Sequence, residues 1–339
     1  MKAIAKTAKL ARILANYKRR EIALDTMPIR LWIESSLVCN LKCVMCPNKD
    51  IPGEQKGVMS FELFQKIIDE AKHFVQDINI HHRGEPLVNP RLPDMIRYAK
   101  AAGLMVRFHT NATKMTKDKA EDIIAAEPDL VSISFDGFRK DVYEEVRAGA
   151  VFERTVDNIK GLLTTKQRMK KNKPYVVIER IDFERYRSKD QDIVVALERE
   201  FQELGVDEII VKKEYHWVTD DSPDPAQEQL YSVCTFPWYA MVICWDGSVA
   251  PCPQDFLARM VMGDVSRQSI AEVWNGDEYQ SLRRNLVEDV SALAQCRKCD
   301  RLCRKQLGGV PSQYMFTFLS DFYLGYGKMR RMVGTAERN

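Results

Sequence analysis

Three cysteines fall within eight residues, Cys39-Asn-Leu-Lys-Cys43-Val-Met-Cys46, directly after an apolar stretch that reads as a strand. No other feature constrains this chain as tightly. Thiolates are preferred ligands for iron–sulfur clusters, and a tight loop presenting three can hold three irons of a cube. The fourth iron is then free to bind something else, and an open position is what makes a metal centre catalytic. A structural zinc would call for a fourth Cys or His close by. A redox dithiol needs only two thiols, so the third is surplus to it.

The remaining six cysteines all lie after residue 230. A chain of 339 residues can build a core without disulfide staples. No apolar run approaches the ~18 residues that cross a bilayer, and the N-terminus lacks the apolar core of a signal peptide. The expected location is therefore the cytoplasm, where thiols stay reduced and clustered cysteines point to metal. A net charge of only +3 argues against a nucleic-acid partner. Residues 1–20 carry seven Lys and Arg and no acid. Leu10, Ile13, Leu14 and Tyr17 form one stripe there, predicting a short basic helix packed on the main body, and membrane association is not expected.

From Pro28 the pattern alternates between short apolar runs and helical stretches. Strands are predicted at 29–35, 77–81, 105–110, 130–135, 175–181 and 208–212, and helices at 61–73, 91–102, 116–126, 154–170 and 192–204. Six alternating units predict an α/β fold with a parallel sheet or a partial barrel. An Asp/Pro/Ser-rich stretch at 219–227 reads as a linker. The expected division is a basic helix over 1–27, the main α/β unit over 28–218, a cysteine-bearing unit over 219–310 and an aromatic tail over 311–339. That tail is expected to cover the open flank of the barrel.

The C-x3-C-x2-C loop after the first strand of a βα run resembles the radical S-adenosylmethionine (SAM) superfamily, over about residues 28–218. The resemblance implies a partial (β/α)6 barrel and a [4Fe–4S] cluster on Cys39, Cys43 and Cys46, with the amine and carboxylate of SAM on the open iron. Reductive cleavage of SAM then yields a 5′-deoxyadenosyl radical that abstracts hydrogen from a substrate. Met45 stands where an aromatic is usual. Arg83-Gly84-Glu85-Pro86 is similar to the GGEP motif that receives the SAM amino group, with Arg83 replacing the first glycine. Thr110-Asn111-Ala112 is similar to TNG, and Ser134-Phe135-Asp136-Gly137 to SxDG. Arg147 matches an arginine that pairs with the SAM carboxylate. By resemblance, Met45, Gly84, Glu85, Asn111, Ser134, Asp136 and Arg147 are expected at the cofactor, along strand ends where ligands sit in such folds.

The C-terminal pattern is similar to the iron–sulfur extension called SPASM, or its shorter form, twitch. It comprises Cys234, Pro237-Trp238, Cys244, Asp246-Gly247-x-Val249-x-Pro251-Cys252, Met262-Gly263-Asp264 and Cys296-x2-Cys299-x3-Cys303. Asp246-Gly247 predicts a hairpin turn between Cys244 and Cys252. Full SPASM domains carry at least seven cysteines for two clusters, against six here, and twitch domains use four for one. The expectation is one auxiliary [4Fe–4S] cluster on Cys234, Cys252, Cys296 and Cys299, with Cys303 competing with Cys299 and Cys244 pointing away. A zinc on the same four residues is the alternative.

An auxiliary cluster could accept the second electron when a substrate radical becomes a double bond. The expected activity is thus oxidation of a small molecule such as a sugar or cyclitol, with an electron donor such as flavodoxin or ferredoxin. The proton that leaves needs a base, and Glu179, Arg180, Lys212, Glu214 and His216 lie late on the fifth and sixth strands. One alternative is modification of a ribosomally made peptide, although only 27 residues precede the first strand and no leader-binding module is visible in them. Another is a non-catalytic iron–sulfur or zinc electron carrier.

Overall fold

The computed structural model describes residues 2–186, 191–214, 217, 232–299, 302 and 305–311. The helix α1, Lys2–Arg19, leads into the first strand, β1, Arg30–Ile33. Five βα steps follow: α2 Phe61–Ala71, β2 Asp77–Asn79, α3 Leu92–Ala101, β3 Met105–Thr110, α4 Lys117–Ala126 and β4 Leu130–Ser134. After β4 come α5 Lys140–Val146, α6 Phe152–Arg168, β5 Tyr175–Asp182, α7 Gln191–Glu203 and β6 Glu208–Lys213. The predicted strands and helices all form, with ends displaced by a few residues. The short α5 was not foreseen.

The six strands pair in parallel in chain order, giving the partial (β/α)6 barrel. Local signals start the helices: Ser60 accepts from the Leu63 amide at 3.1 Å and Thr116 from Lys119 at 3.4 Å. Burial of Phe64, Ile67, Ile68 and Ala71 at i, i+3, i+4 and i+7 sets the inner stripe of α2.

Strand alternation decides what the barrel offers a ligand. In β3, Val106, Phe108 and Thr110 are buried toward the helices, while Met105, Arg107 and His109 alternate with them. Fully covered parallel strands usually read as near-continuous apolar runs, so the polar half of this pattern marks a concave face lined by polar groups. Asp77 closes the lower part of that face. It accepts Arg30 at 2.6 and 2.9 Å and Arg107 at 3.2 Å, and both arginines lie beside Trp32.

Helix α1 packs as expected, burying Ile13 and Tyr17, while Leu14 stays 42% exposed at the edge of the stripe. Its Lys9 ammonium donates to the Phe74 carbonyl, and the Tyr17 hydroxyl to Val233 O at 2.7 Å. No described helix is long and apolar enough to cross a membrane.

The C-terminal segment continues the same sheet. Strand β7, Ala240–Ile243, lies parallel to β1, and β8, Ser248–Ala250, and β9, Gly263–Asp264, follow antiparallel. The predicted hairpin is the β7–β8 turn. Helices α8 Ile270–Trp274, α9 Asp277–Glu288 and α10 Ala294–Arg297 complete this part. Arg283 holds it together: buried, it donates to the carbonyls of Pro237, Ile22 and Trp274 at 2.8–3.0 Å and stacks on Trp274. The predicted linker at 219–227 and the aromatic tail from residue 312 lie outside the described residues.

Candidate active site and cysteine centres

The loop after β1 carries Cys39, Cys43 and Cys46, and other strand-end loops strap it down. Lys42 and Val44 amides donate to Ala148 and Val146 carbonyls at 2.9 and 3.0 Å. Asn48, buried, donates to Leu37 O at 2.8 Å and Arg83 O at 3.1 Å, tying the β1 loop to the β2 loop. Burial raises the Cys39 thiol to about 12 and also raises Cys46, and the nearby sulfur of Cys43 pushes both the same way. Buried sulfurs that repel one another's charge suit a cationic centre between them, so this loop fits a cluster.

Gly84 sits against that loop. A Cβ there would lie 2.3 Å from Ser36 O and 2.7 Å from Val38 O, so only glycine allows the two backbones to touch. The Glu85 carboxylate was expected to face an ammonium. Its oxygens are already taken by Thr110 Oγ1 at 2.6 Å, Asn111 N at 2.8 Å and Leu87 N at 3.0 Å. Burial raises its pKa, opposed by those same donors. Asn111 also donates to Asn40 Oδ1 at 3.3 Å, reaching the cysteine loop. Ala112 takes the glycine-like φ of +56°, so the chain keeps the motif's backbone without its glycine.

Arg147 was expected on a SAM carboxylate. Here it forks onto Asp136 Oδ2, with Nε at 2.8 Å, while Asp136 Oδ1 accepts from the Ile181 amide at 2.7 Å. Arg147 Nη1 also stands 3.8 Å from Cys43 Sγ. Met45 packs with Val142, Val146, Phe183 and Ile181. Ser134 is half-buried, in register with Glu179.

The catalytic candidates divide by strand parity. Glu179 faces the concave side, where Lys212 Nζ donates to it at 2.5 Å and His109 Nδ1 lies 3.9 Å away. Arg180 does not belong to this group. It points to the helix layer, over the Phe138 ring and toward Glu198, as an adjacent residue on a strand must. Glu214 is exposed beyond β6, and His216 lies outside the described residues. Sequence reasoning missed His81, His82 and His109. His81 and His109 stack at 4.1 Å between centroids, and His81 Nδ1 and His82 Nε2 are buried without a hydrogen-bond partner. The signal was available, since the pair His81-His82 and His109 each immediately precede a cofactor-like motif at a strand end. Burial lowers all three imidazoles, His109 to about 4, so they are neutral at pH 7.

The second cysteine centre is a cavity of about 40 Å³, lined by Cys234, Cys252, Cys296 and Cys299 with Pro237 and Leu282 among apolar neighbours. Burial raises Cys252 to about 12 and Cys296 upward too, and the surrounding sulfurs add to both. Cys244 is buried elsewhere, beside Glu34 and Arg83. Cys303 lies outside the described residues. No three described His, Cys, Asp or Glu side chains converge on a single ion. Four sulfurs spread around an apolar cavity fit a cluster better than a mononuclear zinc.

This fold and these two cysteine centres define a radical SAM enzyme with a C-terminal SPASM domain. Residues 33–168 match the radical SAM superfamily and residues 234–300 match SPASM, an iron–sulfur cluster-binding domain. Membership brings SAM, its [4Fe–4S] cluster and an auxiliary cluster. The chain is 27% identical over 300 residues to a tungsten-containing aldehyde ferredoxin oxidoreductase cofactor-modifying protein of Pyrococcus furiosus, covering 75% of this chain and 82% of the relative. It is 23% identical over 284 residues to the S-adenosyl-L-methionine-dependent 2-deoxy-scyllo-inosamine dehydrogenase of Niallia circulans, covering 82% and 95%. The structure of Streptococcus suis SuiB bound to precursor peptide SuiA superposes with a TM-score of 0.59 at 16% identity, over 80% of this chain and 70% of that one. That likeness shows the fold.

Proposed function

We propose that this enzyme dehydrogenates a small polar molecule such as a sugar or cyclitol. The observation that carries the reading is the row formed by His109, Glu179 and Lys212 on the concave face, beside the strand ends that carry the cofactor motifs. Such a face offers hydrogen bonds and a proton acceptor to a polar ligand. Similarity to the inosamine dehydrogenase over 82% of the chain supports it.

Cys39, Cys43 and Cys46 would hold the cluster that binds SAM, and Cys234, Cys252, Cys296 and Cys299 the auxiliary one. The bound cofactor supplies the hydrogen-abstracting 5′-deoxyadenosyl group. The chain's own part is to shape and seat it. Gly84 lets the β2 backbone close on the cysteine loop, and Glu85 braces that loop to Asn111. Arg147, anchored by Asp136, places positive charge beside Cys43, while Met45 and Ser134 would line the cofactor's edge. A flavodoxin or ferredoxin in the cytoplasm would deliver the reducing electron.

The test is anaerobic reconstitution, then dithionite and SAM. About eight irons per chain and formation of 5′-deoxyadenosine are expected. Mutating Cys39, Cys43 and Cys46 together to Ala should abolish the nucleoside and leave about four irons. Zinc in place of the second four irons, or nucleoside from the triple variant, defeats the reading. Modification of a ribosomally made peptide is the second reading, supported by the fold shared with SuiB. Turnover of peptides but not polyols would select it.

A further inference from the structure

Four side chains that the cofactor motifs leave unused share the concave face. His81 lies two residues beyond β2 and stacks on His109 of β3, their planes 30° apart. Glu179 of β5 stands behind His109 Nδ1, and Lys212 of β6 is bonded to Glu179. The His109, Glu179 and Lys212 side chains keep 29%, 17% and 40% of their accessible surface. They therefore face open space instead of packing as core. All but Lys212 also adjoin residues of the cofactor motifs. Arg83 and Gly84 follow the histidine pair His81-His82, Thr110 follows His109, and Glu179 is in register with Ser134. A ligand resting on this row lies against the cofactor as well.

The three groups differ in what they can do. Glu179 is already engaged, its carboxylate accepting from Lys212 Nζ at 2.5 Å; burial alone would raise it, but His109 and Lys212 together hold it down to about 2. Lys212 is engaged as a donor to Glu179. His109 is neutral and half-open, and it has a carboxylate on one side of its ring. A base with a third group beside it is an arrangement that general-base catalysis uses; the 3.9 Å contact is longer than a hydrogen bond, as such contacts often are before substrate binds.

We propose that His109 accepts at Nε2 the proton of a substrate hydroxyl, and that Glu179, fixed by Lys212, is a positioning residue holding His109 as the Nδ1–H tautomer. The substrate class is a small molecule with a secondary alcohol, and this rests on the dehydrogenase reading above. In the reaction the carbinol C–H breaks, its hydrogen atom passing to the 5′-deoxyadenosyl carbon. The hydroxyl proton goes to His109 Nε2, the remaining electron leaves to an iron–sulfur acceptor, and C–O becomes C=O. One face of the His109 ring is covered by His81, so the plane of His109 is set before substrate arrives.

The experiment uses the oxidised holoenzyme with ¹⁵N-labelled histidine. At pH 7 the wild type should show His109 neutral and protonated at Nδ1, and Glu179→Gln should shift it toward the Nε2–H tautomer. A wild-type Nε2–H tautomer, or no change in the variant, overturns the positioning role. In parallel, 2-deoxy-scyllo-inosamine, myo-inositol and glucosamine are supplied with SAM and dithionite. His109→Phe should still form 5′-deoxyadenosine, with ketone per nucleoside falling about 10²-fold. An unchanged ratio, or ketone from none of the three alcohols with wild type, overturns the inference. Absence of 5′-deoxyadenosine from wild type would instead sink the radical SAM reading beneath it.

Discussion

Glu34 and Arg83 meet in a two-pronged ion pair, with Arg83 Nε and Nη2 each 2.7 Å from a carboxylate oxygen. Their side chains are 0% and 7% accessible. The same carboxylate accepts the backbone amides of Arg83 and Trp245, both at 3.2 Å, and Arg83 Nη1 reaches Phe256 O at 3.5 Å. One buried pair thus joins the end of β1, the loop after β2 and the C-terminal hairpin. Removing one partner strands a buried charge, which costs far more than removing both. Arg83→Gly, which restores the usual motif residue, should lose about 3–5 kcal/mol of stability in guanidinium unfolding. Glu34→Gln combined with Arg83→Met should recover most of that. Equal stability of wild type and Arg83→Gly would show that the pair carries no structural weight.

Gly84 makes a different kind of contact, backbone against backbone. The atoms that an added Cβ would strike are the Ser36 and Val38 carbonyl oxygens and the Leu37 carbonyl carbon. None can rotate away as a side chain could, so the segment leading into Cys39 must move. Gly84→Ala should lower the rate of 5′-deoxyadenosine formation about 10²-fold, the scale on which a displacement of roughly 1 Å acts. Iron bound by the C-terminal cysteines should remain, as counted by metal analysis.

Much of this was legible from local pattern, for physical reasons that also set the limit. The βα alternation fixed both the element types and their parallel order, because each amphipathic helix here covers one side of a strand. The cysteine loop was legible because its ligand spacing is local. Glu179 and Arg180 show where local reading stops. They are neighbours in the sequence and face opposite layers, and only their tertiary contacts settle which one meets the substrate face: Arg180 lies over Phe138 and near Glu198, Glu179 is bonded to Lys212. The partners of Glu85, Asp136 and Arg83 were also out of reach. Each depends on which loops the sheet brings together, over separations of 25, 11 and 49 residues. The parallel pairing of β7 with β1 spans some two hundred residues and leaves no local trace.

Ala112 carries a prediction of the opposite sign. Its φ of +56° lies in the left-handed region, which penalises any residue with a Cβ by roughly 1 kcal/mol. The Thr110 hydroxyl receives its amide at 3.0 Å, and Asn158 donates to its carbonyl at 2.9 Å, so the backbone is held there from both ends. Ala112→Gly should therefore be neutral to stabilising by up to about 1 kcal/mol, with SAM cleavage unchanged. A clear loss of stability would mean that the buried methyl group packs for more than its strain.

The neutral histidines make the fold sensitive to acid, with a sign fixed by their environment. Burial lowers His109 from its ordinary 6.5 to about 4, helped by Lys212 and Arg107 and opposed by Glu179. His81 is also lowered well below 6.5, by burial first and then by His109, His82, Arg107 and Lys212. In the unfolded chain both would take up protons near pH 6.5, whereas in the fold neither does until the pH is far lower. Their contribution is thus fully present above 6.5 and is lost as the pH falls toward 4. Each contributes a slope of up to about 1.4 kcal/mol per pH unit in that window. Unfolding of the oxidised holoenzyme between pH 7 and 5, with iron content checked at each point, should show this decline. His109→Gln should flatten it by one proton's worth. Lys212→Met removes a cation that holds His109 down and leaves Glu179 to raise it, so that variant should also flatten the slope. An unaltered slope in both would place the acid sensitivity elsewhere in the molecule.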